Sequence, residues 1–304
     1  MSPRALVTGG AGFIGSNLSW ELAARGWQVV ALDDFSAGTF ENLRGFPGDV
    51  VAADFGNIGF WAPRVGKIDA VFHQAAISDT TVMDQALMMS VNVEKFRELL
   101  CWAAKAKVKK VIYASSAATY GDAPVPQRED AEPRPMNVYG FSKCVMETVA
   151  ASFKIKTAGL RYFNVFGPRE AHKNKTASMI WQLALQMKAG RRPRVFEHGQ
   201  QYRDFIYVKD VVDANLRAFE KAPNGVYNAC TGRKTDFNGV IAALNETLGT
   251  SLQPEYFKNP YSFYQNETLG DPAKAQKAFG FRSQWTTERG IKDYIGGQKV
   301  AVGV

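Results

Sequence analysis

The sequence predicts an α/β molecule: a Rossmann-like, doubly wound parallel sheet with a smaller C-terminal α/β substrate lobe. Three observations carry that expectation. Short β-branched apolar runs alternate with helix-spaced segments through the first half. A glycine loop joins the first run to the first helical segment, and polar residues recur where strands end.

The elements follow in order. Residues 4–8 form a short apolar strand. Residues 13–25 have helical spacing, with Ile14, Leu18 and Leu22 on one face and Gly26 as the stop. Residues 28–32 make the second strand, ending at Asp33 and Asp34, and residues 50–53 the third, ending at Asp54. Residues 68–73 are the fourth, followed by a polar loop over 78–81. A helix is expected over 91–105 and a fifth strand over 110–115. A helix follows from Asn137, as its N-cap, to about Phe153, and a sixth strand over 158–163. Beyond Gly167 the pattern loosens: a helix over 176–189, a turn over 190–193, a strand over 205–208 and a helix over 211–221. This divides the chain into a dinucleotide-binding domain, 1–167 plus 204–222, and a substrate domain, 168–203 plus 223–304, with a loose tail from 296. Right-handed crossovers put the strand C-termini on one edge, so a ligand is expected there.

Composition narrows the function classes. The 304 residues are 46% hydrophobic, enough for a full core. The formal charge of +8 suits an anionic small substrate, but no basic run or nucleic-acid motif accompanies it, so no nucleic-acid partner is expected. Cys101, Cys144 and Cys230 are odd in number and widely spaced, which argues for a reducing compartment and against a disulfide framework or structural zinc; no metal site is read. The chain begins straight into a strand, with no signal peptide, and no apolar run reaches the ~18 residues of a membrane span. A cytoplasmic protein without membrane contact is expected.

The chemistry-bearing residues fall at the strand ends. Residues 8–15, TGGAGFIG, follow a strand and open a helix, with Gly9, Gly12 and Gly15 at the spacing of a dinucleotide loop. Glycine there permits a tight turn and close backbone approach to a pyrophosphate, which the helix N-terminus then favours. Asp33, 18 residues beyond Gly15, can accept bonds from both ribose hydroxyls of NAD and would repel a 2′-phosphate. No Lys or Arg follows closely, and this favours NAD. Asp34 reads as a neighbour in the same turn, and Asp54 could reach the adenine. Tyr139 and Lys143 are i, i+4 on one helical face. The ammonium and a nicotinamide both lower the phenol's pKa, so that it can take a hydroxyl proton while hydride leaves. Ser116 ends the fifth strand, where its hydroxyl can hold the reacting oxygen.

Together these residues resemble the extended short-chain dehydrogenase/reductase family, that is, NAD-dependent epimerases and dehydratases. The strings are TGGAGFIG (8–15), Asp33, HQAA (73–76), Asn92, SSAATYG (115–121), YGFSK (139–143), RYFNVFGPRE (161–170) and RDFIYVKDV (203–211). The resemblance implies cofactor contacts from Gly9, Gly12, Phe13, Ile14, Gly15, Asp33, Asp34, Asp54, Ala75, Asn92 and Lys143, with catalysis by Ser116, Tyr139 and Lys143. Dehydratases carry Asp-Glu where this chain has Ala117 and Ala118, and fucose-synthase-like enzymes carry a Cys absent here. The strings NVYGFSK (137–143) and RYFNVFGPREAHK (161–173) most resemble ADP-L-glycero-D-manno-heptose 6-epimerases. That implies Lys173 as a second catalytic group opposite Tyr139. It also implies a nucleotide diphosphate sugar held by Ser116, Asn164, Arg203 and Tyr264, with His172 in a supporting place. The cofactor is NAD or NADP, tightly bound: the heptose epimerases suggest NADP, yet residues 38–41 lack the expected Lys. Residues 36–42 look more like nucleotide-sugar 4-epimerases, so a UDP-glucose 4-epimerase-like enzyme is the alternative, and a non-catalytic dinucleotide sensor a third. A homo-oligomer is expected by resemblance.

Overall fold

The computed structural model describes residues 2–259 and 267–297. Its centre is a seven-stranded sheet. Six strands are β1 (Arg4–Thr8), β2 (Gln28–Asp33), β3 (Asp49–Ala52), β4 (Ala70–His73), β5 (Lys110–Ser116) and β6 (Thr157–Tyr162). The seventh, Gly225–Ala229, pairs with β6, so the spatial order runs from it through β6, β5, β4, β1 and β2 to β3. Every pairing is parallel.

The strands read as continuous apolar runs because both faces are covered. Alternate residues of β1 show it. Ala5 and Val7 pack with Leu18, Leu22 and Val211 on one face. Leu6 packs with Trp61, Phe96 and Leu99 on the other. The chain leaves β1 toward β2 and β3, then returns to place β4 on the other side of β1. Register aligns Thr8 with both Leu32 and His73, so three strand ends surround that reversal. A ligand crevice belongs there.

A second core forms the smaller lobe: Phe166, Ile180, Leu183, Phe237, Val240, Leu244 and Tyr294 pack together. The expected domain division needs amendment at its last boundary. The segment 204–222 does not itself rejoin the sheet: Phe205–Tyr207 pairs with Asn164–Phe166 in a separate two-stranded ladder. The helix Val208–Lys221 covers the sheet, and the strand that returns is Gly225–Ala229, whose Tyr227 and Ala229 join the sheet's core.

Three helices differ from expectation. Ile58–Val65 was unforeseen because Gly59 and Pro63 mask it, although Trp61 is fully buried and donates to the Phe55 carbonyl at 2.9 Å. The helix expected from 91 begins earlier, at Gln85, where Asp84 accepts from Leu87 N at 2.9 Å; a π-turn at Ser90–Glu94 leads into Lys95–Lys105. The helix expected over 176–189 spans Met179–Lys188, capped by Ser178, and a 3-10 segment, Ala171–Thr176, precedes it. Most of the expected tail lies outside the described residues.

Candidate active site

One cavity of about 1190 Å³ runs from the strand ends into the smaller lobe. The glycine loop forms its floor. A Cβ on Gly9 would lie 2.7 Å from Ala75 N, and one on Gly15 would lie 2.0 Å from the Gly9 carbonyl oxygen. Glycine is therefore required for the loop to fold onto its helix and onto the end of β4. Gly12 caps the helix Phe13–Ala24 with no side-chain bond, which leaves its first N–H groups and positive dipole end toward the cavity that Gly12, Phe13, Ile14 and Gly15 line.

Asp33 lines the same wall and is 8% exposed. Its carboxylate accepts from Ala11 N at 2.9 Å and Phe35 N at 2.8 Å, and burial still pushes its pKa up. Asp34 lines the cavity too, but its Oδ1 is engaged by the Ser36 N–H and hydroxyl. Uncapped amides, a fixed carboxylate and a glycine floor fit a dinucleotide. Asp54 departs from expectation: its carboxylate pairs with Lys95 and bonds Gly56 N, while Ala53 and Phe55 line the cavity instead. Asn92 is fully buried and outside the lining; its amide brackets Ile77 at 2.8 and 3.0 Å and reaches Ser142 Oγ at 3.1 Å. It ties the loop after β4 to the tyrosine-bearing helix.

That helix, Val138–Ala151, starts where Asn137 accepts from Gly140 N at 2.8 Å. A Cβ on Gly140 would lie 2.5 Å from the Ala118 carbonyl, so glycine lets the helix close onto the turn after β5. The contact brings the Tyr139 phenol to Ser116, whose hydrogen bond favours ionisation; burial outweighs it and raises the phenol's pKa. Lys143 is 1% exposed, with Nζ donating to the Ala114 carbonyl at 2.9 Å and lying 5.7 Å from the Tyr139 ring centre. Burial brings its pKa down to about 7. The ammonium's expected lowering of the phenol is thus secondary here to burial and Ser116. Behind them, Glu147 bonds Ser115 and holds a buried pair with Arg161 at 2.7 Å.

The smaller lobe supplies the opposite wall. Lys173 lines it, with Nζ 5.9 Å from the Phe13 ring centre; burial lowers its pKa, and Glu170 and Asp79 oppose that. Glu170 is buried and accepts from Gly167 N at 3.1 Å and from Ser178 N at 2.6 Å, closing the loop that carries Lys173. Asn164 is exposed in the cavity, its Oδ1 accepting from Thr268 at 2.9 Å. Arg203 lines it beside Phe237, fixed by its neighbour Asp204, which accepts from Thr231, Gly232 and Gly270 amides at 2.8, 2.9 and 3.2 Å. Tyr264 lies outside the described residues.

The sequence profile of the NAD dependent epimerase/dehydratase family matches residues 5–230. The chain belongs to that family. Among solved structures, ADP-L-glycero-D-manno-heptose-6-epimerase of Helicobacter pylori is 41% identical, covering 97% of this chain and 95% of that one, with a TM-score of 0.91. UDP-glucose 4-epimerase of Thermotoga maritima, solved with UDP-glucose, is 31% identical over 96% and 97% of the two chains, with a TM-score of 0.87. UDP-glucose 4-epimerase of Thermus thermophilus, solved with NAD, is 29% identical over 96% and 97%, with a TM-score of 0.84. The expectation of an NAD(P)-dependent nucleotide-sugar epimerase on a Rossmann-like sheet is borne out.

The cavity contains further residues that sequence reasoning passed over. Gln74 and Tyr162 line it bonded to each other at 3.0 Å, and Asp79 lines it facing Lys173. Phe196 and Phe257 meet edge-to-face at 5.0 Å beside Arg194 at its far end. Their signals, a strand-end Tyr and scattered aromatics, are too common to single out without the fold. Among the described residues no helix is long and apolar enough to cross a membrane.

Proposed function

We propose that the chain is a nucleotide-sugar 6-epimerase acting on ADP-glycero-manno-heptose, with Tyr139 and Lys173 serving opposite faces of one sugar carbon. The observation that carries this reading is that Tyr139 and Lys173, from different lobes, line a single cavity with Ser116 and Lys143. The similarity to the Helicobacter pylori enzyme supports the substrate.

In this reading Asn164 and Arg203 hold the diphosphate, a guanidinium being suited to two phosphate oxygens at once. Tyr139, once the positive charge of a bound nicotinamide would offset the burial that raises its pKa, takes the proton of the sugar hydroxyl while Ser116 donates to the same oxygen. A bound nicotinamide supplies the hydride acceptor and afterwards the donor. The keto sugar turns in the cavity and Lys173 gives a proton to its oxygen at the other face; Tyr139 then releases its proton to solvent and Lys173 regains one, which resets both groups. Lys143 orients the ribose beside the phenol. No net oxidation results. NAD is the favoured dinucleotide, because Asp33, Asp34, Ser36, Ala37 and Gly38 line that wall without a Lys or Arg to meet a 2′-phosphate. A homo-oligomer in the cytoplasm completes the reading, and light scattering on the purified protein tests the former.

A 4-epimerase acting on a UDP-sugar is the second reading, favoured by residues 36–42 and the likeness to the Thermotoga maritima enzyme. Incubation with ADP-, GDP- and UDP-sugars, followed by NMR, separates the two. Inversion at carbon 6 of the ADP-heptose is expected; inversion at carbon 4 of a UDP-sugar alone would replace the first reading with the second.

A further inference from the structure

His172, expected in a supporting place near the sugar, lines the cavity within electrostatic reach of Asp33. A continuous chain of contacts ties it to Asp33. Asp33 Oδ2 accepts from Ala11 N at 2.9 Å, the Ala11 carbonyl accepts from Asn42 Nδ2 at 2.9 Å, and Asn42 Nδ2 lies 3.3 Å from His172 Nδ1. Asn42 is 9% exposed and also donates to the Arg169 carbonyl at 3.2 Å, while its own carbonyl accepts from Trp20 Nε1 at 3.0 Å. The segment before His172 is held as firmly: Asn17 donates to the Pro168 carbonyl at 2.9 Å and accepts from Arg169 at 3.1 Å. The imidazole is thus fixed against the glycine loop and the turn after β2, and it lines the cavity that Asp33 lines.

We propose that His172 belongs to the cofactor site, where it shares the ribose hydroxyls of the adenosine half with Asp33, and that Asn42 is the residue that positions it. The proposal rests on the dinucleotide reading above. The chemistry suits the place. Both Asp33 oxygens already accept one backbone N–H each, and a carboxylate can take further donors. A ribose presents two hydroxyls, each a donor and an acceptor. Asp33 can accept from one hydroxyl, and His172, whose one ring N–H bonds the Arg169 carbonyl, can accept from the other through its second ring nitrogen. Burial lowers the His172 pKa, a bond to the Arg169 carbonyl opposes it, and the Lys173 and Asp33 charges act in opposite directions, so the net lowering favours the neutral ring and places His172 within electrostatic reach of Asp33. A neutral ring beside a carboxylate accepts a hydroxyl and offers no cation to a 2′-phosphate. The proposal also gives residues 168–173 a double duty, since the peptide that walls the adenosine ribose carries Lys173 as its next residue.

The test uses full-length protein stripped of cofactor, with NAD, 2′-deoxy-NAD and 3′-deoxy-NAD as probes and calorimetric binding as the readout. Wild type is expected to bind NAD at least about tenfold more tightly than one of the deoxy forms, as removal of a hydrogen-bonded hydroxyl from a built polar site implies. His172→Phe should reduce that preference about fivefold or more and leave affinity for the same deoxy form within about twofold. His172→Gln, which keeps an acceptor, should restore part of it; its retained melting temperature guards against misfolding. Unchanged discrimination in His172→Phe, or equal losses for all three probes, would overturn the assignment of His172. Failure of wild type to bind NAD at all would overturn the dinucleotide reading and this proposal together.

Discussion

A single hydroxyl separates Tyr139 from phenylalanine, and the proposed reaction turns on it. Tyr139→Phe should fold normally and lose about 10²–10⁴-fold in kcat, the usual worth of a positioned acid–base group, as read by an NMR-monitored turnover assay. Lys173→Met should cost a similar factor on the ADP-heptose and spare a UDP-sugar 4-epimerisation. His73 makes a different kind of prediction. It is fully buried, bonded through Nδ1 to Thr8 at 2.7 Å and stacked on Phe96, and burial followed by the Lys143 charge brings its pKa down to about 3. The unfolded chain takes up that proton near pH 6.5 and the folded one does not, so stability falls as pH drops from about 6.5 to 3, by up to about 1.4 kcal/mol per pH unit. His73→Gln should flatten that acid limb in urea titrations at pH 7, 5.5 and 4.5; an unchanged limb would assign it to other groups. At this scale Gly9, Asp33, Ser116, Tyr139 and Lys143 were legible because their types and spacing belong to one chemistry. The partners of Asp54 and Asn92 were not legible, for a plain reason. A strand-end position fixes where a residue stands but not where its side chain turns, and here Lys95 and Ile77 claimed them.

Helices bring these side chains together through their starts. The tyrosine-bearing helix depends on Asn137 for its cap and on Gly140 for its close approach. Asn137→Ala should cost about 1 kcal/mol of stability, read as a shift in urea midpoint with an unchanged slope. Gly140→Ala forces apart the helix and the turn carrying Ser116, so kcat should fall more than the stability loss explains. The first helix and the five early strands were readable from periodicity alone, and the Asn137 cap from one polar residue before an apolar-periodic run. Ile58–Val65 was hidden by Pro63, and the early start at Gln85 by a π-turn that breaks the 3.6-residue spacing. The loop Glu170–Lys173 carries no periodic signal; its shape comes from a buried carboxylate bonded to two amides eight and three residues away.

The whole molecule is two cores sharing one crevice, and the crevice is where its stability and function meet. Ligand that binds only the folded state adds about 2.7 kcal/mol at a hundredfold excess over Kd, so stripping the dinucleotide should lower the melting temperature and readdition should restore it. The edge strand Gly225–Ala229 shows why the division into lobes was only partly legible: its membership in the sheet depends on pairing with β6 across more than sixty residues, and local pattern carries no record of that partner. In the proposed reaction the carbon is inverted by oxidation and return of the same hydride, not by loss and regain of a carbon-bound proton. Epimerisation run in D2O and read by mass spectrometry tests it most directly. Inverted product with no deuterium at the inverted carbon is expected; stoichiometric deuterium there would exclude return of the same hydride.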